Sequence, residues 1–306
     1  MDAVKLDGIV PIIPVPFTAD ESIDEPGLRR VVDYAVAHGA AGACLPAYGS
    51  EFYKLSDAER ERVVGIAIEA NRRRVPLIAQ ANHGAAKVAA ATAQRYERMG
   101  ADLISIAIPR TFGLNDADVA RYLGRVAGAV GLPLLVQDFN PGGPTIGAEQ
   151  IDALNRAYPN IRYVKLEEPL MADKLIAIRA RVGERVGVLE GWGGYYLLEL
   201  IPHGICGAMP GTPLVGPLTR VYRLRASGQD RAALELMGRL LPFINFSLQH
   251  FEVFLHIEKT LLARLGVIEH ATVRDATYVP SAANRAYAEF LIGHVLDLIR
   301  EVEGQV

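Results

Sequence analysis

The chain has 306 residues, of which 50% are hydrophobic and 22% charged, an ordinary globular composition that excludes a disordered or collagen-like polymer. Its 32 basic and 35 acidic residues leave a net charge of −3, so it carries no basic footprint for nucleic acid or an anionic membrane surface. The length suits one large domain, two small ones, or an α/β barrel of about 250 residues with an appendage. Cys44 and Cys206 sit in separate apolar runs and form neither a disulfide framework nor a CxxC site, which points to a reducing cytoplasm. The opening MDAVKLDGIV has acids and no long apolar core, so no signal peptide is expected. No apolar run approaches the roughly 18 residues that span a bilayer, so no membrane partner is expected.

Short apolar runs alternate with longer amphipathic ones through the first two-thirds of the chain. Strands are predicted at 8–13, 42–45, 76–80, 103–106, 133–137, 161–166, 186–190 and 204–208. Between them the spacing predicts helices at 25–38, 57–71, 85–99, 116–130, 148–156, 173–181 and 194–201. Ser56 and Glu59 form a capping box at the start of the second helix, whose Val63, Val64, Ala67 and Ile68 recur at helical spacing. Gly39, Gly100 and Gly131 stand where helices should stop before the next strand. Such alternation implies a parallel sheet with crossover helices, and wholly apolar strands imply cover on both faces. Eight βα units favour a closed (β/α)8 barrel over a doubly wound sheet, and no GxGxxG follows the first strand. Beyond residue 214 only helices are predicted, at 214–226, 231–241, 243–265 and 282–302. The expected organisation is therefore a catalytic barrel over residues 1–226 and a helical region, 227–306, packed on it.

In such a barrel the chemistry lies at the C-terminal ends of the strands. Six of the 32 basic residues are lysine, and of these only Lys165 falls inside a predicted strand. Strand periodicity puts Tyr163, Lys165 and Glu167 on one face. If that face points inward, desolvation disfavours the charged amine, and a neutral amine is the nucleophile of Schiff-base chemistry. The alternative is a lysine snorkelling at a strand end, or paired with Glu167 or Glu168. Glu167 could move a proton at the carbon next to an imine. His83, on the loop after the third strand, could give or take a proton near neutrality, or lie on the surface. Gly49 and Ser50 belong to a short turn whose N–H groups and hydroxyl could hold a carboxylate. The 191–194 turn could cradle an anion or simply be a tight β-to-α connection. There is no HExxH, HxH pair, GxSxG or P-loop, so neither a metal nor a cofactor is expected. His250, Glu252, His256 and Glu258 are off-face for a metal site and are read as solvated or packing residues.

Several motifs resemble the dihydrodipicolinate synthase / N-acetylneuraminate lyase superfamily, Schiff-base barrels that act on 2-keto acids. The resemblance covers nearly the whole chain. It rests on Gly8-Ile9-Val10-Pro11 through Pro16-Phe17, on Asn160-Ile161-Arg162-Tyr163-Val164-Lys165, and on Ile257-Glu258-Lys259 to Arg264-Leu265-Gly266. The departures are as informative. The family's Gly-Thr-Thr-Gly-Glu turn is here Ala47-Tyr48-Gly49-Ser50-Glu51, and the tyrosine ending its fifth strand is Gln137, followed by Asp138. The aromatic pair after the fourth strand is replaced around Arg110-Thr111, and no arginine stands in 141–144. The synthase hydroxyl relay is thus missing from its usual place. The branch of L-2-keto-3-deoxyarabonate dehydratases resembles this chain at Ser50-Glu51, Asn82-His83, Val136-Gln137-Asp138 and Lys165-Leu166-Glu167-Glu168-Pro169. It does so again at Gly207-Ala208-Met209 and from Leu241 to Asn245.

The resemblance implies a lyase that takes a small 2-keto acid and works as a homotetramer. The expected reaction is dehydration of a 2-keto-3-deoxy sugar acid: Lys165 forms the imine, Glu167 takes a C3 proton, and His83 protonates the departing C4 hydroxyl. Ser50 and its turn would hold the carboxylate, and Asp138, Glu190 and Arg110 would read distal groups. Two other readings stand beside it: an aldolase or synthase joining or releasing pyruvate and an aldehyde, and a non-catalytic sugar-acid-binding barrel.

Overall fold

A computed structural model describes residues 4–111 and 113–304 of the chain; the outer ends of the two expected units, 1–3 and 305–306, lie outside the described residues. Eight short strands run β1 (Gly8–Ile9), β2 (Ala43–Leu45), β3 (Leu77–Gln80), β4 (Leu103–Ala107), β5 (Leu134–Gln137), β6 (Ile161–Leu166), β7 (Gly187–Glu190) and β8 (Gly207–Ala208). All are parallel, in the order β1-β8-β7-β6-β5-β4-β3-β2. A parallel bridge between Ile12 and Cys44 brings the chain beyond β1 against β2, closing the ring. The fold is a (β/α)8 barrel.

The crossover helices are α1 (Glu25–Ala37), α2 (Asp57–Asn71), α3 (Ala86–Met99), α4 (Asp116–Ala127), α5 (Ala148–Ala157), α6 (Met171–Val182), α7 (Leu197–Leu200) and α8 (Val215–Ala226). Local chemistry sets their ends. Asp24 caps α1 through the Gly27 N–H, Ser56 and Glu59 close the capping box of α2, and Asn115 with Asp118 does the same for α4. Gly100 ends α3 in the left-handed conformation. α4 stops at Ala127 with Gly128 as its cap, short of the predicted end at 130. The predicted 194–201 helix shrinks to one turn, because the preceding residues form the turn around Glu190 described below.

Beyond the barrel come α9 (Asp230–Ser247), α10 (Phe251–Arg264) and α11 (Ala282–Glu303). A helix boundary was predicted at Pro242, between the 231–241 and 243–265 segments. Instead α9 runs through Pro242. Proline removes one helix hydrogen bond, but Leu240, Phe243, Ile244 and Phe246, on both sides of it, are buried and hold the helix straight on to Ser247. The break comes at His250, whose ring accepts the Glu252 N–H and starts α10 afresh. Among the described residues no helix is long and apolar enough to cross a membrane.

The core has two shells. Val10, Ile12, Cys44, Ile78, Leu103, Leu135, Tyr163 and Leu189 fill the barrel interior. The outer faces of the strands, Val164 and Leu166 among them, pack under the helices. On β6 the period of two therefore sends Tyr163 and Lys165 inward and their neighbours outward. Tyr163 closes the lower end of the barrel: its hydroxyl donates to the Val4 carbonyl (2.9 Å) and accepts the Leu6 N–H (3.1 Å).

Candidate active site

At the opposite end of the barrel, the C-terminal ends of the strands form a cleft of about 490 Å³. Lys165 and Glu167 lie on its floor. The Lys165 ammonium is 2.9 Å from Oε1 of Glu167, and both side chains are nearly buried. The other carboxylate oxygen of Glu167 accepts from the Gln137 amide (2.8 Å), whose own oxygen accepts from Gln80 Nε2 (2.6 Å). A four-residue chain thus runs from β3 through β5 to β6, ending on the lysine. The Gln80 oxygen has no partner of its own among the described residues. Gly191, just after β7, lies under the pair. A Cβ there would stand 2.4 Å from Cγ of Glu167 and 2.6 Å from Cε of Lys165. Only glycine lets the two side chains lie where they do.

Residues 47–51 form one wall. Ala47, Tyr48 and Gly49 line the cleft, and the N–H groups of Tyr48 and Gly49 make no hydrogen bond among the described residues. Ser50 is placed differently from the expectation. Its hydroxyl is fully buried, donates to the Ile13 carbonyl (2.6 Å) and accepts the Ala47 N–H (2.9 Å). It shapes the turn from behind, and its hydroxyl is already engaged. Glu51, at φ +59°, adopts the left-handed conformation that costs a residue with a Cβ about 1 kcal/mol or more. It is held there by Lys259 of α10, by Lys54 (3.3 Å) and by the Arg274 N–H (3.1 Å).

The other expected site residues are placed as follows. His83 is exposed, its Nδ1 accepts the Ala85 N–H (2.9 Å), and it is not among the residues that line the cleft. Asp138 and Arg110 do not present free groups to a ligand. They form a two-pronged ion pair (2.8 and 2.7 Å), and Asp138 also accepts the Ile146 N–H (2.7 Å). The pair braces the loops after β4 and β5 and so positions Phe139, which does line the cleft. Glu190 is fully buried and turns to its own loop, accepting the Gly194 N–H at 2.7 Å. Burial pushes its carboxyl up to about 7, against the N–H groups of Gly194, Tyr196 and Trp192, which hold it down. The Gly194 N–H is thereby spent on Glu190 and the Gly191 N–H on the Leu166 carbonyl (2.7 Å), bonds that belong to a tight β-to-α connection.

Tyr48, Gln80 and Phe139 were not singled out from the sequence. The alternation that exposed Lys165 would equally have put Gln80 and Gln137 at the top of inward faces. Nothing in the sequence marks Tyr48, since a tyrosine in a glycine turn reads as packing. The quartet of His250, Glu252, His256 and Glu258 also divides. Glu252 pairs with Lys54 (2.7 Å) and accepts from Thr277 (2.6 Å), His256 meets the Thr277 hydroxyl (3.0 Å), and Glu258 is buried behind Gly211 on the cleft wall.

Comparisons with known proteins bear on the whole chain. The model of the dihydrodipicolinate synthetase family matches residues 5–288. L-2-keto-3-deoxyarabonate dehydratase of Azospirillum brasilense is 27% identical over 288 residues, 93% of this chain and 92% of that protein. The 4-hydroxy-tetrahydrodipicolinate synthase of Brucella abortus is 29% identical over 273 residues, 87% of this chain and 90% of that protein. Among solved structures, dihydrodipicolinate synthase from Rhodopseudomonas palustris superposes with a TM-score of 0.89 at 23% identity, covering 95% of this chain and 98% of that one.

Proposed function

The chain belongs to the dihydrodipicolinate synthetase family of aldolase-type lyases, and from that premise we propose that it dehydrates a 2-keto-3-deoxy sugar acid through a Schiff base on Lys165. The observation that carries this reading is the grip on Glu167, with Lys165 on one oxygen and the Gln137 amide on the other. A carboxylate fixed beside the lysine that forms an imine is placed to work at the carbon next to that imine. Gln137 stands where the family's synthases have a phenol, and an amide aligns the carboxylate without handling a proton itself.

In this proposal the neutral amine of Lys165 attacks the C2 ketone and water is lost, giving a protonated imine. Glu167 takes the ammonium's proton and returns it to the carbinolamine hydroxyl that leaves as water; as a carboxylate again it removes a C3 proton, and the electron pair flows into the iminium to give an enamine. The enamine returns its electrons, forming the C3–C4 double bond and expelling the C4 hydroxyl as water once an acid supplies a proton. Hydrolysis frees the 2-keto-3-ene acid and Lys165. The substrate carboxylate is assigned to the N–H groups of Tyr48 and Gly49 at the start of their turn, where oriented backbone dipoles favour an anion. The family also carries the proposal of a cytoplasmic homotetramer, which light scattering on the purified protein checks.

Borohydride added with L-2-keto-3-deoxyarabonate should fix mass on Lys165. The Glu167→Gln variant should keep that adduct and lose roughly two to four powers of ten in turnover. An adduct on another residue, or none, removes the Schiff-base reading; unchanged turnover in the variant reduces Glu167 to an ion-pair partner. The similarity to the Brucella synthase supports a second reading, carbon–carbon bond formation or cleavage on the same imine. Pyruvate and an aldehyde among the products would select it.

A further inference from the structure

We propose that Tyr48 is the general acid that protonates the C4 hydroxyl as it leaves, so that the phenol of this site comes from the loop after β2. The assignment rests on the Schiff-base dehydration described above. That reaction needs an acid at C4, and the expected one, His83, is exposed with its Nδ1 engaged by the Ala85 N–H and does not line the cleft. Ser50 is bonded to Ile13 and Ala47, and Gln137 is an amide. Tyr48 remains. It lines the cleft together with Lys165 and Glu167, and its hydroxyl makes no hydrogen bond among the described residues.

The ring is held on several sides. Phe52 meets it edge-on at 5.0 Å between centroids, Phe139 lies at 5.7 Å and Phe251 at 6.2 Å, so the loop after β5, the loop after β2 and α10 all fix its direction. A polar tip left unbonded on an otherwise packed ring is what a proton donor needs. Burial raises the phenol above its ordinary value, and the nearby charge of Glu167 raises it further. The group is therefore protonated throughout the neutral range, which suits an acid and not a base.

The two groups together balance the reaction. Glu167 takes the C3 proton and becomes a carboxylic acid. The enamine reforms the iminium, the C3–C4 π bond forms, and the C4–O bond breaks. The departing oxygen takes the phenolic proton of Tyr48 and leaves as water. The tyrosinate then recovers a proton from Glu167, restoring both residues. The proton removed from C3 is the one that replaces the proton given to the leaving hydroxyl, and no other reactant enters.

The test compares wild type and Tyr48→Phe on L-2-keto-3-deoxyarabonate and on its analogue with fluorine in place of the C4 hydroxyl. The readouts are borohydride trapping on Lys165, deuterium entry at C3 from heavy water, and turnover. In Tyr48→Phe, trapping and C3 exchange should persist. Dehydration of the hydroxyl substrate should fall about 10²- to 10⁴-fold. Elimination from the fluoro analogue should stay close to the wild-type rate, because fluoride leaves without a proton. That rescue also shows that the variant is folded. The assignment is overturned if the variant dehydrates the hydroxyl substrate normally, or if it loses both substrates equally. A wild type that traps no adduct overturns the Schiff-base reading itself, a different result from a wild type that traps one.

Discussion

Glu258 shows what a single buried carboxyl can do to the stability of the whole. It lies fully inside the protein, one of its oxygens has no hydrogen-bond partner among the described residues, and burial alone pushes it up to about 8. Gly211 on the cleft wall accommodates it, since a Cβ there would stand 2.0 Å from its carboxylate oxygen. The free carboxyl titrates near 4.5. Below that pH both folded and unfolded chains hold the proton and the group costs nothing. As pH rises the unfolded chain ionises first, so stability falls progressively up to about pH 8 and then levels off. At about 1.4 kcal/mol per pH unit the loss is on the order of 5 kcal/mol. Glu258→Gln has no such proton to lose. Its melting temperature should gain on the wild type steadily from pH 5 to pH 8; parallel melting curves across that range would remove the role of this carboxyl.

The turn at 47–51 is an element held in place by another element far along the chain. Glu51 sits at a left-handed φ, and its carboxylate is buried against Lys259 of α10, which also donates to the Thr272 carbonyl (2.8 Å). Stripping a buried charge of all its partners costs about 3–5 kcal/mol; without Lys259, Glu51 keeps Lys54 and the Arg274 N–H, so the loss is a part of that. Lys259→Met should therefore lower the melting temperature sharply. Because the turn also presents the N–H groups of Tyr48 and Gly49, KM should rise more than kcat falls; a kcat loss at constant KM would separate this clamp from substrate binding. The same turn marks the limit of what can be read in the sequence. Strands were legible because apolar runs covered on both faces stand out between capped helices. Lys165 was legible because a charged residue breaks such a run. Partnership was not legible: 208 residues separate Glu51 from Lys259. Nor does the sequence show that Asp138 spends its carboxylate on Arg110 or that Glu190 turns to its own loop. A lone polar residue at a strand end looks alike whether it faces a ligand or a neighbour. The structure decides by showing which hydrogen bonds are already made.

At the scale of the molecule, the helices beyond residue 227 are built into the barrel at several separated places. Helix α11 packs on α8 and α9, and its Leu291, Val295 and Leu298 belong to the same buried core as Leu218 and Val221 of α8. Arg30 of α1 donates to the Val267 carbonyl (2.7 Å), Arg274 pairs with Glu59 of α2 (2.6 Å), and His38 meets Glu303 (2.8 Å). Leu248, Phe251 and Phe254 complete the wall of the cleft. Sixteen Met, Phe, Leu, Ile and Val side chains on α9–α11 are buried, most of them in one cluster with the outer core of the barrel, and fully burying one such side chain is worth about 1.5–3 kcal/mol. Neither part should therefore survive without the other, although the chain order suggests a barrel with a separate appendage. The full chain should melt in one calorimetric transition. A chain ending at Ala226 should lose that transition and bind a hydrophobic dye through its bared α8 face. Two resolved transitions, or a truncated barrel that melts within a few degrees of the full chain, would instead make the helical region an independent unit, and the grip of α10 on the 47–51 turn could then be released without unfolding the barrel.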